Sequence, residues 1–226
     1  MRLPWRLAMA GLALLAVSCG DGGLQGQSMD EDVRDQVAAQ LDEQGREAAA
    51  EIVRDRSGTS VEHLETPYLS SWAVYQFDRQ GPSGETQHIV ATDGQQSLLL
   101  RAAPDAFETV LRTDGASVDD EDVAIDVVRD YLFMTRPTDM HSYLVEDVDD
   151  IQLRTDATDA DRAELAERLG DVIEPPQASS DGAGHRVTAF VVYGNVLQRH
   201  VVIVGPDGID EQVEVVAEDL PVPFSL

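Results

Sequence analysis

The chain of 226 residues contains no lysine, only one cysteine and few aromatic residues. All 16 basic residues are arginine, and 43 acidic residues give the chain a formal net charge of −27. So little positive charge argues against nucleic-acid binding, because phosphate recognition needs a basic surface that releases counterions. One cysteine can form neither an intrachain disulfide nor a thiolate metal cluster.

Recognisable catalytic motifs are also missing. The sequence contains no His-Glu-x-x-His motif, no glycine-rich phosphate loop and no Gly-x-Ser-x-Gly elbow, and Gly81-Pro82-Ser83-Gly84 has the wrong spacing for the last of these. Aromatic residues make up 5% of the chain, which gives little support for a sugar-binding cleft with paired carboxylates. The sequence therefore predicts no catalytic residue, no metal site and no cofactor.

The N-terminus has the pattern of an export signal. Arg2 and Arg6 precede an apolar stretch from Leu7 to Val17. As a helix this stretch would span about 16 Å, half of a hydrocarbon core of about 30 Å. A permanent transmembrane helix is therefore disfavoured, and a secretory signal is favoured.

The end of the apolar stretch, Ala16-Val17-Ser18-Cys19, resembles the lipobox of bacterial type II signal peptides. The resemblance implies cleavage between Ser18 and Cys19 and lipidation of Cys19, which becomes the mature N-terminus. Ala16 stands where that family most often has leucine. The alternative is an ordinary signal peptide with an incidental cysteine nearby.

Residues 1–18 are thus predicted to be a signal peptide and residues 19–28 a lipidated tether, whose Gly-rich composition is typical of a flexible linker. This organisation places the protein in the cell envelope, membrane-anchored and facing the periplasm or the exterior. Anionic head groups would repel the acidic body. Membrane lipid would therefore be contacted through acylated Cys19 and not through the protein surface.

The remaining residues predict an α+β fold of two helix-plus-antiparallel-meander modules, at 29–116 and 117–226. Capping-box patterns begin helices at Ser28, at Ser117 and at Thr158, the first running to about Arg56 with a weak point at Gly45. Pro104 begins another helix. Strands are predicted at 71–77, 86–92, 95–101, 186–193, 196–204 and 211–217, with a short strand at 147–153 and a loop at 178–184.

The two strand groups suggest an internal repeat. Gln87-His88-Ile89-Val90 before Asp93-Gly94 matches Arg199-His200-Val201-Val202 before Asp207-Gly208, and residues 72–77 match 188–193 in pattern. Apolar meanders with Asp-Gly turns could also arise by chance. A helix on a curled antiparallel sheet resembles the cystatin-like or PepSY-like class, which implies a binding or inhibitory role in a bacterial envelope but carries no catalytic residues over.

Two functions stay open. The first is a non-enzymatic, lipid-anchored envelope protein that binds a protein or peptide partner through its sheet. The second is an envelope hydrolase or metal-dependent enzyme, with a site built from carboxylates or from His88 and His200. The dense acidic runs at 119–122, 147–150 and 156–161 could collect calcium, but acids at helix starts are already favoured by capping and by the helix dipole.

The charge composition itself suggests an environment. An acidic surface in which Asp outnumbers Glu and arginine is the only base resembles proteins of salt-adapted organisms. GC-rich codon usage would explain the missing lysine but not the 43 acids. We therefore expect folding to strengthen as salt rises from millimolar to molar concentration, because screening weakens repulsion between the acids.

Overall fold

The computed structural model describes residues 29–81, 84–182, 184–206 and 208–223. Within these ranges the chain has an α+β fold, which confirms the predicted fold class. The helices are α1 (Glu31–Glu43), α2 (Glu47–Arg54), α3 (Pro104–Asp114), α4 (Glu121–Met134) and α5 (Asp159–Leu169). The strands are β1 (Thr59–Leu64), β2 (Ala73–Gly81), β3 (Gly84–Thr92), β4 (Ser97–Leu99), β5 (Ser142–Val145), β6 (Gln177–Asp181), β7 (Gly184–Tyr193), β8 (Val196–Gly205) and β9 (Gly208–Ala217).

The strands form two antiparallel sheets. The first sheet has the order β1-β2-β3-β4, and the second has the order β5-β7-β8-β9, with β6 also paired to β7. Strands β2 to β4 and β7 to β9 are the two predicted meanders, so both are confirmed. Strands β1 and β5 were not predicted.

Two local predictions were wrong. Residues predicted as a loop form β6, because pairing with β7 overrides the weak strand preference of Ser and Asp. The expected strand at 147–153 is instead a 3₁₀ turn, Val148–Asp150, since the Asp147 carboxylate accepts the amide of Asp149. The strands predicted at 86–92 and 95–101 do pair as a hairpin, and its loop has four residues because Asp93 accepts the amides of Gln95 and Gln96.

The helix starts also differ from the sequence patterns. Asp30, not Ser28, is the N-cap of α1, and Ser28 lies outside the described residues. The predicted single helix breaks into α1 and α2 near Gly45, which has φ of +71° and so favours glycine. Asp120 caps α4 in place of Ser117, whereas the capping box of Thr158 and Asp161 is confirmed.

Two arginines tie α1 to the end of α2. The buried guanidinium of Arg34 donates to the carbonyl oxygens of Val53 and Asp55, satisfying groups that the end of α2 leaves open. Arg56 contacts the carboxylates of Glu31 and Asp35 in the first turns of α1, at 3.0 Å and 2.9 Å. The start of α1 is therefore fastened to the chain that follows α2.

Three apolar clusters hold the elements together. Helices α1 and α2 pack against one face of the first sheet, around Phe77 and Val90. The other face joins α3, α4 and the second sheet in a central core that includes Ile89, Val127 and Val202. The opposite face of the second sheet packs against α5 and the C-terminal segment. The central core thus draws on residues from both predicted modules, and their boundary at 116/117 stays a prediction.

The internal repeat is not confirmed. His88 in β3 lies opposite Phe77, and His200 in β8 lies opposite Ala189. The sequence match had aligned Phe77 with Tyr193. If His88 and His200 were equivalent, Phe77 would correspond to Ala189, the residue opposite His200. The sequence match instead aligns Phe77 with a residue four positions later.

Candidate functional site

Strand β9 is the outermost strand of the second sheet. Nine of its ten residues pair with β8 on one side, and within the described residues no strand pairs with its other side. Such an edge presents backbone N–H and C=O groups that can bind another extended segment. The edge is therefore a candidate binding surface.

Two valines make this edge unusual. Val213 is 50% exposed and Val215 is 52% exposed, although valine is a typical core residue. They lie opposite His200 and Gln198, so both project from the face of the sheet that carries these two residues. The other face of β9 carries Asp210, Gln212 and Glu214. An apolar row and an acidic row thus run along one open edge.

The edge of the first sheet is more closed. Strand β1 has six residues, and its apolar Val61 and Leu64 are partly buried against neighbouring clusters. Strand β9 is longer and keeps its valines accessible. Of these two edges, β9 is the better surface for a partner.

Beneath β9 lies a buried polar cluster centred on His200. The Nδ1 atom of His200 lies 2.5 Å from Glu211 Oε1, and its Nε2 atom lies 3.2 Å from Gln198 Oε1. The Tyr131 hydroxyl donates to Glu211 Oε2 at 2.9 Å. Burial favours the neutral form of Glu211, but the contacts from His200 and Tyr131 outweigh it and hold the pKa of Glu211 below its usual value. Each polar atom named here has a partner.

His88 does not join this cluster. It lies in β3 of the first sheet, half-buried, and its Nδ1 atom has no hydrogen-bond partner among the described residues. Burial, followed by the positive charge of Arg101, lowers the pKa of His88 below its usual value. The structure therefore places the two candidate histidines on different sheets with different neighbours.

Each predicted acidic cluster stands at a helix or turn start. Asp120 accepts the amide of Val123, Asp150 accepts the amide of Asp147, and Asp161 accepts the amide of Thr158. These are capping bonds. Across the ranges that the structure describes, no group of three or more His, Cys, Asp or Glu side chains is arranged to hold a metal ion.

A further buried acid lies on α4. Asp130 accepts a hydrogen bond of 2.7 Å from the Tyr68 hydroxyl. Burial raises the pKa of Asp130 to about 6, with a smaller contribution from the charge of Asp126, while the bond from Tyr68 opposes the rise. This carboxyl group has no basic partner within 4 Å among the described residues.

The predicted cleavage and lipidation residues, Ser18 and Cys19, lie outside the described residues. In the part of the chain that the structure does describe, none of the helices combines the length and apolarity needed to cross a bilayer.

Sequence reasoning did not single out Val213 or Val215. Their alternation with Gln212 and Glu214 is that of a strand with one buried face, so the exposure of the valines could be found only from the fold. No protein-family model matches the chain, and neither a curated protein nor a solved structure matches it.

Proposed function

We propose that the protein is a lipid-anchored, non-enzymatic protein of the cell envelope that binds an extended segment of a partner protein along β9. The observation that carries this proposal is the open edge of β9 with its two exposed valines. No arrangement of the described residues favours the alternative of a hydrolase or metal-dependent enzyme.

The anchor part of the proposal rests on the lipobox-like residues before Cys19. Mass spectrometry of the native protein should show a mature chain that begins at an acylated Cys19. Cys19 is the only cysteine in the chain, so an acylated Cys19 leaves no free thiol. A thiol reagent should therefore label the unfolded lipoprotein no more than it labels the unfolded Cys19→Ser protein, which has no thiol. A Cys19→Ser protein that stays membrane-bound, or an unmodified thiol on the native protein, would contradict the anchor.

The two faces of β9 specify the partner. A segment that pairs with β9 places alternate side chains beside its apolar and acidic rows. Apolar side chains would contact Val213 and Val215, and basic side chains would face Asp210 and Glu214. The preferred segment therefore alternates apolar and basic residues.

A second copy of the chain is a poor occupant of this edge. The copy would bring the acidic row with Asp210 and Glu214 close to the same acids, and like charges placed opposite each other across strands are destabilising. The net charge of −27 adds repulsion at longer range. Charge complementarity thus favours a basic partner over self-association.

A peptide titration tests the edge directly. The probe is a fluorescently labelled eight-residue peptide of alternating Val and Arg, and fluorescence anisotropy reports its binding to the full chain carrying Cys19→Ser. A peptide with its four Val and four Arg in separate blocks has the same charge. The alternating peptide should bind more tightly. Equal affinities would mean simple charge attraction and would overturn the proposal.

A matched pair of variants localises the binding. Val213→Arg places a charged side chain in the apolar row and should weaken the alternating peptide about tenfold or more. Val172→Arg makes the same substitution at a valine that is 39% exposed and distant in sequence from β9. It therefore controls for the added charge. Equal losses in the two variants would remove β9 from the proposal.

A further inference from the structure

A separate cavity lies at the end of the first sheet. Its volume is about 670 Å³, within the range of sites that hold small molecules. Arg101, Arg136 and His88 line it together with Thr86, Thr138 and Ser142. In a chain with 43 acids and 16 arginines, two arginines in one cavity are unexpected.

The two guanidinium groups are close to each other. Arg101 Nη1 and Arg136 Nη2 both donate to the same atom, Gln87 Oε1, at 3.1 Å and 2.5 Å. The donating nitrogens are therefore no farther apart than the sum of these two distances. Like charges at this separation repel each other, and the repulsion is stronger away from water.

No carboxylate pairs directly with these two guanidinium groups in the part of the chain that the structure describes: neither Arg101 nor Arg136 has an acidic group within 4 Å. Glu85 also lines the cavity, at a greater distance from both. The charge of Asp78 raises the pKa of both arginines, but its oxygens accept bonds from Gln76 and Gln87. Burial, with the charge of Arg136, lowers the pKa of Arg101 to about 10, and burial also lowers the pKa of Arg136.

Three nitrogen atoms of these side chains have no hydrogen-bond partner among the described residues: the buried Nε atoms of Arg101 and Arg136 and the buried Nδ1 atom of His88. Buried polar atoms are nearly always hydrogen-bonded, so the two Nε–H donors show that the arginines are short of acceptors here. A guanidinium group offers paired N–H donors that match the oxygens of a carboxylate or phosphate.

The surroundings fix the two arginines. The guanidinium of Arg136 lies 4.7 Å from the centre of the Phe133 ring, which stacks against the charge. Arg101 is followed by Ala102, whose φ of +55° is unfavourable for a residue with a Cβ atom. Residues held in such conformations cluster at binding sites, where the fold maintains them at a cost in stability.

We infer that this cavity binds a small organic molecule through an oxyanion head, a phosphate or carboxylate group held between Arg101 and Arg136. The volume exceeds what a bare ion needs and leaves room for an organic body beside Thr138 and Ser142. This site is lined by β3, by Arg101 and by the segment from Arg136 to Ser142, and none of its lining residues belongs to β9.

Calorimetric titration of the full chain carrying Cys19→Ser tests the inference. The probes are glycerol 3-phosphate and succinate, and the matched uncharged probes are glycerol and succinamide. At least one charged probe should bind saturably at millimolar concentration or below, and its uncharged partner should not. The charged probe that binds more tightly identifies the head group as phosphate or carboxylate. Failure of both charged probes to bind would overturn the inference.

Three variants locate the site. Arg101→Gln and Arg136→Gln should each weaken the oxyanion about tenfold or more, because each removes charge-assisted hydrogen bonds. Arg168→Gln makes the same change at an exposed position on α5 and should leave the affinity within about twofold. Equal effects of all three would indicate general charge attraction and overturn the site.

Three further measurements keep the result interpretable. Circular dichroism establishes that each variant is folded before titration. Arg136→Lys retains the charge but loses the paired donors, so it should rescue the affinity only in part. Full rescue would contradict recognition by the paired donors of Arg136. Val213→Arg should leave oxyanion binding unchanged, which separates this site from the β9 edge.

Discussion

Two largely buried polar clusters of the molecule are built in opposite ways. In the second sheet, His200 and the Tyr131 hydroxyl both contact the carboxylate of Glu211, so these groups satisfy one another's hydrogen bonds. Near the end of the first sheet, Arg101 and Arg136 share one acceptor, and among the described residues their buried Nε atoms have no partner. We expect the complete cluster to support the fold, and we infer that a ligand supplies what the incomplete cluster lacks.

The largest expected effect comes from breaking the complete cluster. Glu211→Ala leaves His200 and the Tyr131 hydroxyl without their buried acceptor, and it should lower the free energy of unfolding by about 3 kcal/mol. Glu214→Ala removes an exposed acid of the same strand that pairs with Arg199, and it should cost no more than about 1 kcal/mol. Urea denaturation of both variants measures the difference. Similar losses would show that the His200 cluster has no special structural role.

Asp130 is intermediate, since it has one hydrogen-bond partner and no compensating base. Its folded pKa of about 6 exceeds the unfolded value, so the charged form is destabilising and stability is gained as the pH falls through 6 toward 4. Asp130→Asn should remove this gain, about 2–3 kcal/mol, and make the protein more stable at pH 8. Urea titrations at pH 8 and pH 5 compare wild type with Asp130→Asn.

An exposed loop acid provides the control for this pH effect. Asp139→Asn also removes one carboxylate, but from a position in contact with water. We expect its pH dependence to follow that of the wild type. A wild-type profile retained in Asp130→Asn would show that Asp130 does not titrate in this range.

Removing Arg136 from the incomplete cluster should cost the protein little stability. Arg136→Met removes a buried charge that lacks an anionic partner and keeps contact with Phe133, so stability should stay within about 1 kcal/mol of wild type. Arg34→Met is the matched change at a buried arginine that donates to two carbonyl groups, and it should cost about 2 kcal/mol. Thermal unfolding without added anions compares the stability lost in the two variants. A larger loss at Arg136 would assign it to the structural framework.

Salt should cause the smallest of these expected changes in stability. The melting temperature of the wild type should rise as sodium chloride increases from 10 mM to 1 M, because the Debye length falls from about 30 Å to about 3 Å. The loss from Glu214→Ala should disappear at 1 M, whereas the loss from the buried Glu211→Ala should persist. A wild-type melting temperature that does not change with salt would leave codon usage as the better account of the composition.

Local sequence patterns were enough to predict much of the fold. β-Branched residues predicted the strands that became β7 and β8, and the capping-box pattern that begins at Thr158 predicted the start of α5. Strand β6 could not be found this way, because Gln177–Asp181 becomes a strand through its pairing with β7.

The candidate sites were much harder to predict. Arg101 and Arg136 are 35 residues apart and meet only after β3, α3 and α4 have packed. A lone arginine after Leu98–Leu100 was the one local signal, and it is weak. The exposed valines of β9 depend on the absence of a covering element, which no local pattern encodes.

The contacts that Arg34 and Arg56 make between α1 and the end of α2 have a mechanical consequence. If residues 19–28 tether the body to a membrane, as we propose, any pull enters at the first turns of α1, where Arg56 contacts Glu31 and Asp35. That load passes through Arg34 into the end of α2 and into the helix layer against the first sheet. Strand β9 lies beyond the central core, on the second sheet. Tension on the proposed anchor would therefore be absorbed before it could distort the proposed binding edge.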